Sequence, residues 1–283
     1  MNSPQSLACA AVLSGFQTTA IAAEFAFGQV HGKPGERVRM TSQVTSTKGT
    51  VQKTKSGLLT HGTISLSRES ELVWTFREPD ADGTRRGMVR VPNISSTIVT
   101  TMDGKTDRAV NPSPLNGKLI ELSKSPNGEW KFELDGSVPF IRVEDEIESM
   151  GTYLKRKWYP EYKVKLGDSW EFDPVWIKGL MTKDLKKSKA VGTMRLRQVR
   201  YAPSGQTALI DVTIRSSGGD FKADGTETDA SVVLDGSLVV NLETMLEESL
   251  ELNGTVVTTV STATESHKTN LPLTIKVGKS FVR

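Results

Sequence analysis

One cysteine and three histidines in 283 residues remove much of the usual chemistry at once. A disulfide framework needs paired cysteines, and Cys9 stands alone near the start of the chain. His31, His61 and His267 lie far apart and form no close ligand pair of the His-x-x-x-His kind, so a zinc or histidine-base site is not expected. No Gly-x-Ser-x-Gly elbow occurs, which removes the usual signature of acyl transfer. No stretch reaches the ~18 consecutive apolar residues of a membrane-spanning helix, so no transmembrane segment is expected. Charge of one sign is also scarce: a net charge of +3 and a pI near 8.8 are mild. No cofactor motif is present, and no cofactor is expected.

What is present begins with a leader-like stretch. Residues 1 to 23 carry no charged side chain, contain the apolar run Leu7 to Leu13, and end in Ala20-Ile21-Ala22-Ala23 before Glu24. Small residues at that boundary resemble a signal-peptidase site, so cleavage is expected near Ala23, with export to the periplasm or the extracellular space. Export argues against a nucleic-acid partner. Cys9 would leave with the leader, and the mature chain would then have no thiol nucleophile. The remaining residues, 24 to 283, are expected to form a single β-rich domain: an N-terminal β half at about 37–138, a helix at about 142–157 and a C-terminal β half at about 162–283.

The helix is the organising stretch. Val143, Ile147, Met150, Leu154 and Trp158 recur at steps of four, three, four and four, which is one stripe on a 3.6-residue helix. Glu144, Asp145 and Glu148 lie near its start and Lys155, Arg156 and Lys157 near its end, the order that a helix dipole favours. Pro160 closes it. Val175 to Leu185 is a second, brief helix candidate.

Around it the pattern has period two. Met40, Ser42, Val44 and Ser46 alternate with polar partners, and Leu72, Trp74 and Phe76 share one face. Pro79-Asp80-Ala81-Asp82-Gly83-Thr84 has the composition of a turn between antiparallel strands. Met88 to Val91, Ser95 to Met102 and Lys118 to Ser123 are shorter candidates. In the C-terminal half Ala208, Ile210, Val212 and Ile214 alternate, as do Val232, Leu234, Leu238 and Val240, then Leu250, Leu252 and Val256. Even positions are apolar, while Asp235, Asn241, Glu243, Glu251 and Asn253 are polar, so one face meets a core and the other water. Gly236 and Gly254 interrupt the apolar face, as bulges or a curling sheet would require.

Two segments carry a resemblance: Tyr159-Pro160-Glu161-Tyr162-Lys163-Val164-Lys165-Leu166-Gly167-Asp168-Ser169-Trp170, and Val232 to Val260 with Leu234-Asp235-Gly236 and Leu252-Asn253-Gly254. They resemble exported bacterial β-rich proteins of the kind abundant in planctomycetes, over roughly residues 139 to 265. The resemblance implies an exported β-rich domain and carries no catalytic residue. Read from the residues alone, Gly167-Asp168 makes a turn and Trp170 anchors a strand in the core.

Other clusters have structural readings. Asp80, Asp82 and Gly83 resemble a fragment of a calcium loop, but Arg85 and Arg86 follow where further ligands are needed. Glu144, Asp145, Glu146 and Glu148 suit the start of a helix better than the paired acids of a glycosidase. The bases between Lys155 and Arg200 and the acids between Asp220 and Glu251 form two opposed fields, expected to neutralise each other in the fold or between molecules; the basic stretch alone is a solvated face or a surface for an anionic partner.

The expectation is therefore a mainly antiparallel β fold with one central helix, its sheet strongly curved into a half-barrel or sandwich-like shell. Its architecture is similar to that of lipoprotein-carrier half-barrels, an analogy of fold that transfers no residue. The leading functional expectation is a non-enzymatic binding domain whose partner is an apolar ligand or an envelope component. Leu234, Leu238, Val240, Leu250, Leu252 and Val256 from the sheet, with Ile147 and Leu154 from the helix, are its expected ligand-binding residues. The alternatives are an envelope-associated structural protein with a filled core and, third, a hydrolase. No catalytic or metal-ligating residue is expected.

Overall fold

In a computed structural model the chain is built from long antiparallel strands whose apolar faces turn inward. The structure describes residues 23–28, 30, 32–134, 140–154, 156–174, 187–202 and 205–282. The expected leader, apart from Ala23, and the whole of the second helix candidate, Val175 to Leu185, lie outside these residues.

In chain order the elements are β1 (Glu24–Phe25), β2 (Arg37–Lys55), β3 (Leu58–Phe76), β4 (Arg85–Met102), β5 (Lys105–Pro112), β6 (Leu119–Lys124), β7 (Trp130–Leu134), α1 (Phe140–Leu154), β8 (Val164–Lys165), β9 (Ser169–Phe172), β10 (Lys187–Ala202), β11 (Gly205–Phe221), β12 (Glu227–Asn241), β13 (Glu247–Ser261) and β14 (Glu265–Val282). Twelve of the strands form one sheet in the order β7-β6-β4-β3-β2-β14-β13-β12-β11-β10-β9, with β5 pairing to β4 off this path. β1 and β8 form a separate pair. The sheet is large, strongly curved and not closed. Its C-terminal half is a meander, whereas in the N-terminal half β5 and β6 both pair with β4; the halves join where β2 pairs with β14 from Arg37↔Val282 to Lys55↔Glu265.

Local chemistry explains the turns. Asp103 and Gly104 both have positive φ, 51° and 73°, between β4 and β5, as a two-residue hairpin turn with the twist of its strands requires. The expected turn after Pro79 is present: Asp80 N–H donates to Thr84 O at 2.9 Å and Gly83 N–H to Asp80 O at 2.9 Å. Met88 to Val91 and Ser95 to Met102 belong to one strand, β4, rather than two. A register shift opposite Leu72 places two residues, Val91 and Pro92, against one, which absorbs a proline that has no N–H for the ladder. β5 left no alternating pattern because all eight of its residues are exposed.

The apolar faces form two cores. The larger lies on the C-terminal half, where cross-strand rows such as Leu196, Ile210, Leu238, Leu250 and Val277 run over five strands. Trp158, Trp170 and Phe172 pack into it, and Trp170 Nε1 donates to Trp158 O at 2.8 Å. The smaller lies on the N-terminal half: Val89, Val91, Leu115, Ile120 and Leu122 are buried beneath Val143 of α1, with Ile147, Met150 and Leu154 packed alongside.

The helix stripe is thus as expected for four of its five residues, but the helix covers the N-terminal half. It starts two residues earlier and ends three earlier than the expected 142–157. Its first turn holds no acid and its last no base, so the dipole pairing read from the sequence is not realised. Trp158 falls beyond the end of α1 and enters the other core.

Candidate functional site

A cavity of about 550 Å³ opens between the C-terminal end of α1 and the N-terminal half of the sheet. Its floor follows from strand register. Val38, Trp74, Val89 and Ile120 form one cross-strand row over β2, β3, β4 and β6, and Met40 and Leu72 form the next. All of these except Ile120 line the cavity. Met150 and Leu154 cover it from α1, and Trp158, Tyr159, Met245 and Leu246 close one end. Trp74 meets Trp130 edge to face with ring centroids 6.2 Å apart, an arrangement that favours aromatic packing. The rim holds the exposed residues Pro34, Arg77, Pro79, Arg85 and Arg86.

The inner end is charged. Glu247 Oε2 accepts a hydrogen bond from Arg156 Nη2 at 2.5 Å and another from Lys279 Nζ, while Tyr159 Oη donates to Glu247 Oε1 at 3.4 Å. The side chains are only 10% exposed for Glu247, 11% for Lys279 and 16% for Arg156. Arg156 also lies over the Trp158 ring, 4.7 Å from its centroid. Burial alone pushes the Glu247 carboxyl up. The charges of Lys279 and Arg156 and their hydrogen bonds outweigh it and hold the pKa at about 2.

Strand register explains how these charges turn inward. Along β14 Leu271, Leu273, Ile275, Val277, Lys279 and Phe281 fall at every second position, so Lys279 interrupts an otherwise apolar row. It pairs with Met40 and shares its face. Glu247 lies on an odd position of β13, whose buried face is even at Leu250 and Leu252. A register shift between Val239 and Val240 moves the pairing from Ser249 to Glu247 in one step, which brings Glu247 to the face of buried Val240.

The structure separates the residues expected to bind ligand. Leu234, Leu238, Val240 and Leu252 have no exposure, Leu250 is 6% and Val256 4% exposed, and all six pack in the larger core rather than along the cavity. Ile147 packs in the smaller core. Leu154 alone of the eight lines the cavity. Glu247, Arg156 and Lys279 are the functional candidates that the period-two reading of the sequence missed.

The remaining clusters have local roles. His61 pairs with Gln52 and His267 with Lys53 on opposite sides of β2, and adjacent β2 residues face opposite ways, so the two imidazoles lie on different faces of the sheet. The Asp80 carboxylate accepts hydrogen bonds from Arg86 Nε at 2.8 Å, and Asp82 Oδ1 accepts one from Thr84 N–H at 2.9 Å. Glu146 accepts a hydrogen bond from Ser113 Oγ, tying α1 to the loop before β6. In the Gly167-Asp168 turn, Lys165 N–H donates to Asp168 Oδ2 at 2.7 Å, and Trp170 is buried. Asn241, read as solvent-facing, is 5% exposed because its Oδ1 accepts from Glu243 N–H and Thr244 N–H in the turn after β12. Opposed charges also meet across strands, as in Arg197–Asp211 at 3.1 Å and Arg215–Asp235 at 3.0 Å.

No helix among the described residues is long and apolar enough to cross a membrane. No protein-family model matches the chain, and no curated protein matches it.

Proposed function

We propose that the protein is an exported, non-enzymatic binding domain that holds an apolar chain between α1 and the N-terminal half of its sheet. The cavity carries this reading: its volume falls within the roughly 300–1,000 Å³ of small-molecule sites, and its walls are mainly aliphatic and aromatic with a few polar groups at one end. The uncharged leader-like stretch before Glu24 supports export. The filled core beneath Leu234 and Leu238 favours the alternative, a structural envelope protein, for the C-terminal half alone. Hydrolysis is less well supported, because a carboxyl held at about 2 is a poor proton donor or acceptor near neutral pH.

Burial contributes about 0.8 kcal/mol per methylene, so a chain of about ten carbons gains roughly 8 kcal/mol before the cost of ordering it. Delipidated protein titrated with an environment-sensitive fatty-acid probe is expected to show saturable binding in about the micromolar range. Met40→Trp, which places an indole in the cavity, is expected to weaken binding about tenfold or more while leaving the circular dichroism spectrum unchanged. Absence of saturable binding, or equal affinity in the folded Met40→Trp variant, would overturn the reading in favour of a structural role.

A further inference from the structure

We infer that the ligand is an anionic amphiphile, a single acyl chain whose carboxylate or phosphate head lies against the buried Arg156–Glu247–Lys279 cluster. This rests on the cavity being an apolar-chain site and names the class of chain it takes.

Three observations support it. First, among the described residues the charged side chains that line the cavity are mainly cationic: Arg77, Arg85, Arg86, Lys124, Arg156 and Lys279, with the carboxylate of Glu247. Arg77 and Arg86 also meet Glu121 and Asp80 outside the cavity, at 3.2 and 2.8 Å. The inner cluster is different because Arg156 and Lys279 both bond Glu247 and both are largely buried. Second, those two cations are largely removed from water, where an anion is attracted far more strongly than at an exposed site. Third, Lys279 sits in a row with Met40 and Leu72, so a chain lying on these apolar residues ends beside an ammonium group.

Stability does not account for this arrangement. Replacing a buried ion cluster by packed apolar residues is often neutral or stabilising, and every other inward position of β14 from Leu271 to Phe281 is apolar. Arg156 and Lys279 keep their hydrogen bonds to Glu247 in this account. The head group is drawn by the summed charge of the lining, and the exposed arginines at the rim give the approaching anion a favourable field.

The test is displacement of the fluorescent acyl probe from the delipidated full chain by dodecanoate, dodecyl phosphate and methyl dodecanoate near neutral pH. The two anions are expected to displace it at least about tenfold more tightly than the neutral ester, the scale of a charge-assisted hydrogen bond. The ratio between the anions tells a carboxylate site from a phosphate site. Lys279→Met is expected to narrow the gap to about threefold or less. Because that variant removes a buried partner, the comparison in the unsubstituted protein decides the matter if it does not fold. Equal displacement by ester and anions overturns the anionic head and leaves the apolar-chain reading standing. Displacement by none of the three overturns the apolar-chain reading itself. A preference kept in folded Lys279→Met but lost in Arg85→Gln/Arg86→Gln overturns the placement of the head at the buried cluster.

Discussion

Gly236→Ala is expected to destabilise the fold by roughly 3–5 kcal/mol, at the upper end of what overpacking and a forced backbone shift cost. A β-carbon at Gly236 would lie 1.8 Å from the carbonyl oxygen of Glu251, and one at Gly254 would lie 1.9 Å from that of Val233. Both contacts are with the backbone of the neighbouring strand, so no rotamer change relieves them. The register shows why glycine stands here: Gly236 lies between Val212 and Leu252, and Gly254 between Leu234 and Leu273, in otherwise bulky rows of a curved sheet. Pairing runs through both positions without a register shift, so they mark a close approach of strands rather than bulges. Gly278, whose added β-carbon would meet only the Thr41 hydroxyl at 3.3 Å, is the control, and Gly278→Ala is expected to cost about 1 kcal/mol or less. Urea unfolding measures Gly236→Ala, Gly254→Ala and Gly278→Ala. Equal small losses would show that strand spacing at Gly236 and Gly254 relaxes freely.

Glu247→Ala is the second large effect, expected at roughly 3–5 kcal/mol because it removes the carboxylate that the buried Arg156 and Lys279 share. The same group predicts a pH dependence. Its folded pKa of about 2 is depressed below the ordinary 4.5, so its contribution is fully present above pH 4.5 and is lost as the pH falls towards about 2. At about 1.36 kcal/mol per pH unit, the difference corresponds to roughly 3 kcal/mol. Denaturant titrations across that window should show the decline in the native protein and a flatter profile in Glu247→Gln. Parallel profiles in the two proteins would mean that the carboxylate is not held by its two cations.

Much of the architecture was legible because local signals agreed with the fold. The Asp-Gly and Pro-Asp turns, the Gly167-Asp168-Ser169-Trp170 anchor, the helix stripe from Val143 to Leu154 and the even-numbered apolar face of β11 to β13 each rest on residues close in the chain. Which core the helix covers depends on contacts between distant segments, and no periodicity records it. The cavity was hidden for the same reason: its floor joins β2, β3 and β4 to β14, at opposite ends of the sequence. Glu247 was hidden by a bulge, since one extra residue reverses the inward parity on which period-two reading depends. Lys279 did leave a signal, a lysine in the inward series that runs from Leu271 to Phe281. Leu234 and its neighbours looked like a ligand surface because a filled core and an empty one have the same alternating pattern.

Methionine methyl groups offer the most direct test that the apolar chain lies under α1 on the N-terminal half and leaves the C-terminal core untouched. Met40, Met150 and Met245 line the cavity, whereas Met194 is 1% exposed in the larger core. With methyl-labelled methionine, addition of dodecanoate to the delipidated protein is expected to shift the resonances of Met40, Met150 and Met245 in a saturable manner and to leave Met194 in place. A saturable shift of Met194 with the other three unmoved would place the chain among Leu234, Leu238 and Leu252 and contradict the account.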